Sequence, residues 1–97
     1  MDEEINEKYF LACKLIFDHY GEESQKLQLI QELAELAVAL TKNNLENIME
    51  EMADVQIMLD QFCSRAGYGD KVFEIQQQKI DRQLKRIAEE KKLDTVA

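Results

Sequence analysis

The chain is 97 residues long, 45% apolar, with a net charge of −8 at neutral pH. That length predicts one small domain over residues 1–97, with a core that is marginal by itself. The acidic surplus argues against nucleic acid as a main partner, because a phosphate backbone would be repelled. The absence of proline and the presence of only three glycines, in a chain rich in Leu, Ala, Glu, Gln and Lys, favour helix throughout.

Four helices are predicted in chain order. The first runs from about residue 3 to 20, where Ile5, Tyr9, Ala12, Cys13, Ile16 and Tyr20 recur at helical spacing and Gly21 can end it in a left-handed conformation. The second runs from about 22 to 42. Glu22 and Glu23 suit its positive end, and Ile30, Leu33, Ala34, Ala37, Val38 and Leu40 form its apolar face. Asn43-Asn44 breaks it, and either Asn can cap the next helix. The third helix, about 45–66, is apolar on most sides from Met52 to Cys63, interrupted by Asp54, Gln56, Asp60 and Gln61. A helix of that kind is buried on more than one side, and three companion helices in a monomer would struggle to cover it. A homodimer or homotetramer is therefore expected. Gly67 to Asp70 forms a turn, with Asp70 as the expected N-cap of a fourth helix over about 71–91. Its stripe is Phe73, Ile80, Leu84, Ile87 and Ala88, and Asp94 to Ala97 are expected to fray. The fold class is thus all-α, a four-helix bundle-like protomer joined by short turns.

Cys13 and Cys63 fit no metal-binding spacing and are read as reduced core residues. The acidic N-terminus lacks the pattern of a signal peptide, and no apolar run approaches the roughly 20 residues that span a bilayer. A cytoplasmic protein without a membrane partner is the expectation.

Two carboxylate pairs stand out, Glu32-x-x-Glu35 and Glu51-x-x-Asp54. The i,i+3 spacing puts each pair on one helix face, about 60° apart. Like charges there repel, and their placement within apolar runs raises the cost. Such pairs are also compatible with a solvated polar face. Asp54, a poor mid-helix residue in the most apolar stretch, favours a cation held between two facing helices. All-oxygen ligation suits Mg²⁺, with Mn²⁺ as a substitute, over zinc, and the one histidine, His19, lies in no di-iron pattern. Four carboxylates suggest more than one ion, with a polyphosphate completing the coordination. Gln25 and Gln28 extend the first stripe and Asn47 the second, which makes them candidate substrate contacts. Lys79, Arg82 and Arg86 form a basic stripe on the fourth helix that is either a solvated face or a grip for phosphate. Phe17, Tyr20, Met58 and Phe62 are read as core, and His19 as a surface residue.

The run Gln25…Gln31-Glu32-Leu33-Ala34-Glu35-Leu36, followed by Glu50-Glu51-Met52-Ala53-Asp54-Val55, resembles the MazG-type nucleoside triphosphate pyrophosphohydrolases. The resemblance covers roughly residues 20–90, and the fifteen residues between Glu35 and Glu51 fit the members with a short connection. It implies cleavage of a nucleoside triphosphate between its α and β phosphates, releasing pyrophosphate. It also implies that Glu32, Glu35, Glu51 and Asp54 hold Mg²⁺, and it supports a phosphate-contacting last helix, with Lys79 the first choice. Two departures are Gln31, where many members carry Glu, and the absence of Trp, which some members stack on the base. Glu32 or Glu35 is expected to accept the proton of the attacking water. The alternative is a helical oligomerisation or regulatory module without catalysis.

Overall fold

The structure is a computed structural model that describes residues 3–65 and 67–96, and the side chains of these except Ile5 and residues 93–96. It is all-helical: α1 (Glu3–Tyr20), α2 (Glu22–Lys42), α3 (Leu45–Arg65) and α4 (Gly69–Val96). No described helix is long and apolar enough to cross a membrane.

The turns follow from a few residues. Gly21 takes φ 90° and ψ 157°, so it leaves the helical region altogether rather than curling into a left-handed cap. Its N–H donates to the Phe17 carbonyl at 2.8 Å, and its own carbonyl accepts from Gln25 at 3.0 Å. One residue therefore ends α1 and starts α2. Asn43 adopts the left-handed conformation that closes α2 (φ 57°), and the Asn44 Oδ1 accepts the Asn47 N–H at 3.1 Å, capping α3. Each Asn thus has its own task.

The fourth helix departs from expectation at both ends. It begins at Gly69, before residue 71, with the Val72 N–H bonded to the Tyr68 carbonyl. Asp70 is not the cap; it lies in the first turn, where its charge suits the positive end of the helix. Any Cβ at position 69 would meet the Cys63 carbonyl oxygen at 3.3 Å, so glycine lets α4 start close against α3. The helix also runs past Lys91 to Val96, because no Gly or Pro follows and its last turns are rich in Glu, Lys and Leu. The expected fray at Asp94–Val96 is helix instead, and Ala66 and Ala97 lie outside the described residues.

Helix α3 is the central element. Helix α1 runs parallel to it, tied by Tyr9 Oη donating to Asp60 Oδ2 at 2.6 Å and Arg65 Nε to Asp18 Oδ1 at 2.7 Å. Helix α2 runs antiparallel to α3, with Gln25 against Gln61 at one end and Glu35 and Asn47 sharing a cavity at the other. Cys13, Phe17, Ala39, Val55 and Met58 form the core, and Phe17 meets half-buried Phe62 edge-to-face at 5.1 Å. Cys63 is only half-buried. Tyr20, expected in the core, is 61% exposed and stacks its ring against the His19 edge.

Helix α2 buries a different face from the one its apolar residues mark. Gln25 and Ala39 are buried, and Gln28, Leu29, Glu32 and Leu36 half-buried. Ile30, Leu33, Ala34, Ala37, Val38 and Leu40 are exposed. At 100° per residue the two faces lie about 140° apart. The stripe of α4 is likewise open, with Phe73, Ile80, Leu84 and Ile87 exposed and only the first turns of the helix against α3. The radius of gyration is 17.7 Å, against about 13 Å for a compact chain of this length.

Candidate functional site

The acidic pairs come together across the α2–α3 seam. Antiparallel packing sets the second half of α2 against the first half of α3, and the i,i+3 spacing keeps each pair on one helix face, with Glu32 and Glu51 half-buried and Glu35 exposed. Glu32, Glu35 and Glu51 each offer one carboxylate oxygen, all within 4.8 Å of one another. Asp54 is outside this trio and exposed, yet close enough that its charge acts on both Glu32 and Glu51. A cavity of about 340 Å³ adjoins them, lined by Gln31, Ala34, Val38 and Asn47 as well as Glu35 and Glu51.

The cluster carries uncompensated negative charge. The Oε2 atoms of Glu32 and Glu51 are buried and have no hydrogen-bond partner. Desolvation pushes the Glu32 carboxyl above the ordinary glutamate range, opposed by a hydrogen bond from Gln28 and reinforced by the charges of Glu35 and Asp54. Glu51 is raised by desolvation first, then by the charges of Glu35, Asp54 and Glu32. An orphaned carboxylate oxygen is costly to bury, and a divalent ion satisfies several at once. Three or four oxygen donors with no Cys or His suit Mg²⁺ or Mn²⁺.

Of the remaining expected site residues, Gln28 and Asn47 stay at the acidic cluster, and Gln25, Lys79, Arg82 and Arg86 do not. Gln25 is 4% exposed, and its amide donates to Gln61 Oε1 at 2.7 Å, so it supports the core and is not presented to a ligand. Gln28 Nε2 donates to Glu32 Oε1 at 2.7 Å. Asn47 remains beside the trio, in the cavity wall. Lys79, Arg82 and Arg86 sit on the exposed part of α4 and form no ion pair among the described residues. The start of α4 packs near Gln56, Asp60 and Cys63, on roughly the opposite side of α3 from Glu51 and Asp54. One chain therefore does not bring its basic stripe onto its carboxylates.

Two polar partners escape the carboxylate pattern, one at the acidic trio and one in the core. Gln31 Nε2 donates to Glu35 Oε1 at 3.2 Å, a bond that the i,i+4 Gln–Glu spacing signals. Gln61, 2% exposed, accepts from Gln25 in the core and reads in the sequence only as an interruption of an apolar run. On the far side of α3, an open cleft of about 800 Å³ lies between α1, α3 and α4, lined by Phe10, Leu59, Phe62, Val72 and Phe73 among others.

No protein-family model matches the chain, and neither the curated proteins nor the solved structures contain a significant match to it.

Proposed function

We propose that the protein is a Mg²⁺-dependent nucleoside triphosphate pyrophosphohydrolase, with Mn²⁺ able to substitute. The observation that carries this reading is the convergence of Glu32, Glu35 and Glu51 with buried, unpartnered oxygens on two of them. The resemblance of both acidic motifs to the MazG type supplies the substrate class. Glu32, Glu35 and Glu51 would hold the ion, with Asp54 at the rim. When bound, the metal neutralises phosphate charge and lowers the pKa of a bound water. Glu32 or Glu35 would take the proton of the attacking water as it adds to a phosphorus of the α–β bridge. The bond from that phosphorus to the bridging oxygen breaks, giving a monophosphate and pyrophosphate. Asn47 flanks the site and is the remaining polar candidate for a substrate contact.

Self-association belongs to the same reading. The accessible surface is 7919 Å², about 2,200 Å² more than a compact monomer of this mass exposes. A stable dimer covers about 800 Å² per partner, and obligate ones more. The open stripes of α2 and α4 are apolar enough to form such an interface, and a second copy is the occupant we assign. A basic stripe that misses the carboxylates of its own chain has a route to phosphate through that assembly.

A nucleotide panel scored for pyrophosphate release in Mg²⁺ tests the assignment. Turnover is expected with at least one nucleotide, and Glu51→Gln or Glu32→Gln should lower it at least a hundredfold while the helical content stays unchanged. Undiminished turnover in both variants would sink it. The exposed apolar stripes also fit a second reading, a non-catalytic oligomerisation module. Tight self-association without Mg²⁺-dependent nucleotide binding in calorimetry would select that one.

A further inference from the structure

Glu32 and Glu35 of α2 are each held by an amide placed one turn earlier. Gln28 bonds Oε1 of Glu32 at 2.7 Å, and Gln31 bonds Oε1 of Glu35 at 3.2 Å. The other oxygen of Glu32 is buried, unpartnered and free for the cluster. We infer that Gln28, assisted by Gln31, is a positioning residue that makes Glu32 and Glu35 one-oxygen ligands and so selects Mg²⁺ or Mn²⁺ over Ca²⁺. This inference rests on the metal site proposed above.

Mg²⁺ takes six oxygens in a strict octahedron at about 2.0–2.1 Å, and a carboxylate serves it through one oxygen. Ca²⁺ takes six to eight at about 2.3–2.6 Å and commonly gains ligands by chelation through both carboxylate oxygens. For Glu32 to chelate, its carboxylate must turn so that Oε1 also faces the ion. That turn strains a short hydrogen bond from Gln28 in a half-buried place. The Gln31 bond is longer and exposed, so Gln31 contributes less. Glu51 has no such amide, and the charges that bear on it are all negative. Selectivity is therefore concentrated on α2.

The test compares ion affinities, not turnover. Mn²⁺ binding is followed by electron paramagnetic resonance, with Ca²⁺ as competitor, for the full chain and for Gln28→Met and Gln31→Met. The unaltered protein is expected to prefer Mn²⁺ by tenfold or more. Outer hydrogen-bond partners of metal ligands typically carry about 10–100-fold in affinity, and Gln28→Met should shrink the Mn²⁺/Ca²⁺ preference at least threefold. Gln31→Met should shrink it less. If Gln28 only packs, both affinities change together and the ratio stays put, which overturns the inference. Gln28→Ala, which keeps a strong helix former, provides the same comparison should Met disturb the seam. Protein that binds neither ion removes the metal site itself. Protein that binds Mn²⁺ with an unchanged ratio in all variants removes only the selectivity role.

Discussion

At the scale of single residues, the cost of the site is carried by two glutamates. Glu32 and Glu51 have raised folded-state pKa values, chiefly from desolvation. Above the unfolded value of about 4.3, and up to the folded value, the folded chain binds more protons than the unfolded one, so metal-free stability falls as pH rises through that window. A divalent ion competes with those protons. The rise in Tm produced by Mg²⁺ should therefore be full at about pH 8 and shrink as pH falls towards about 5, which thermal melts with and without Mg²⁺ will show. A rise of equal size at both ends would contradict the assigned ligands. Gln25 and Gln61 present the complementary case, a polar pair that satisfies itself inside the core. Gln61→Leu leaves the Gln25 amide buried without that partner and should cost about 1–3 kcal/mol in urea unfolding. Pairing it with Gln25→Leu should recover most of the loss, because two apolar side chains then face each other.

At the scale of elements, the residues that end helices were legible in the sequence. Gly21 and the Asn43-Asn44 pair have conformational and capping properties that depend on immediate neighbours alone, and the helices begin and end around them. Asp70 is the exception. A side chain suited to capping is not used because Gly69 already fits the close approach to Cys63, and the helix starts earlier. Helix α4 shows what periodicity alone leaves open. Its apolar stripe reads as a core face, yet beyond its first turns the helix stands clear of the three-helix body. A lone amphipathic helix is only marginally stable in water, so its stability has to come from packing. If a second copy supplies that packing, Leu84→Asp should leave α1–α3 folded and convert the protein to a monomer in sedimentation equilibrium. A dimer of unchanged affinity would show that Leu84 lies outside the interface.

At the scale of the whole molecule, the chain is elongated, 58 × 34 × 29 Å, and one face of α2 stays open. Helix α2 carries two usable faces, and its carboxylate-bearing face is the one turned to α3. Burying Gln25 and half-burying Glu32 while Ile30 stays 63% exposed is unfavourable for a chain that works alone. It is reasonable for one whose outer stripe is covered by another copy and whose groove binds a cation. The two acidic pairs were legible because i,i+3 spacing fixes direction on a helix regardless of context. The fate of Gln25 and of Lys79, Arg82 and Arg86 was not, because it depends on which helix lies opposite.

The sequence by itself determined the helices, the residues that separate them, and the pairing of the acids on two faces, all of which follow from local backbone preference and helical period. Only the tertiary structure decided that Glu32, Glu35 and Glu51 converge while Asp54 stays at the rim, that Gln25 turns to Gln61, and that the basic stripe stands apart. Those outcomes depend on helix rotation and crossing. Rotation is set by the balance between burying apolar area and leaving polar atoms unpaired, which no single helix contains.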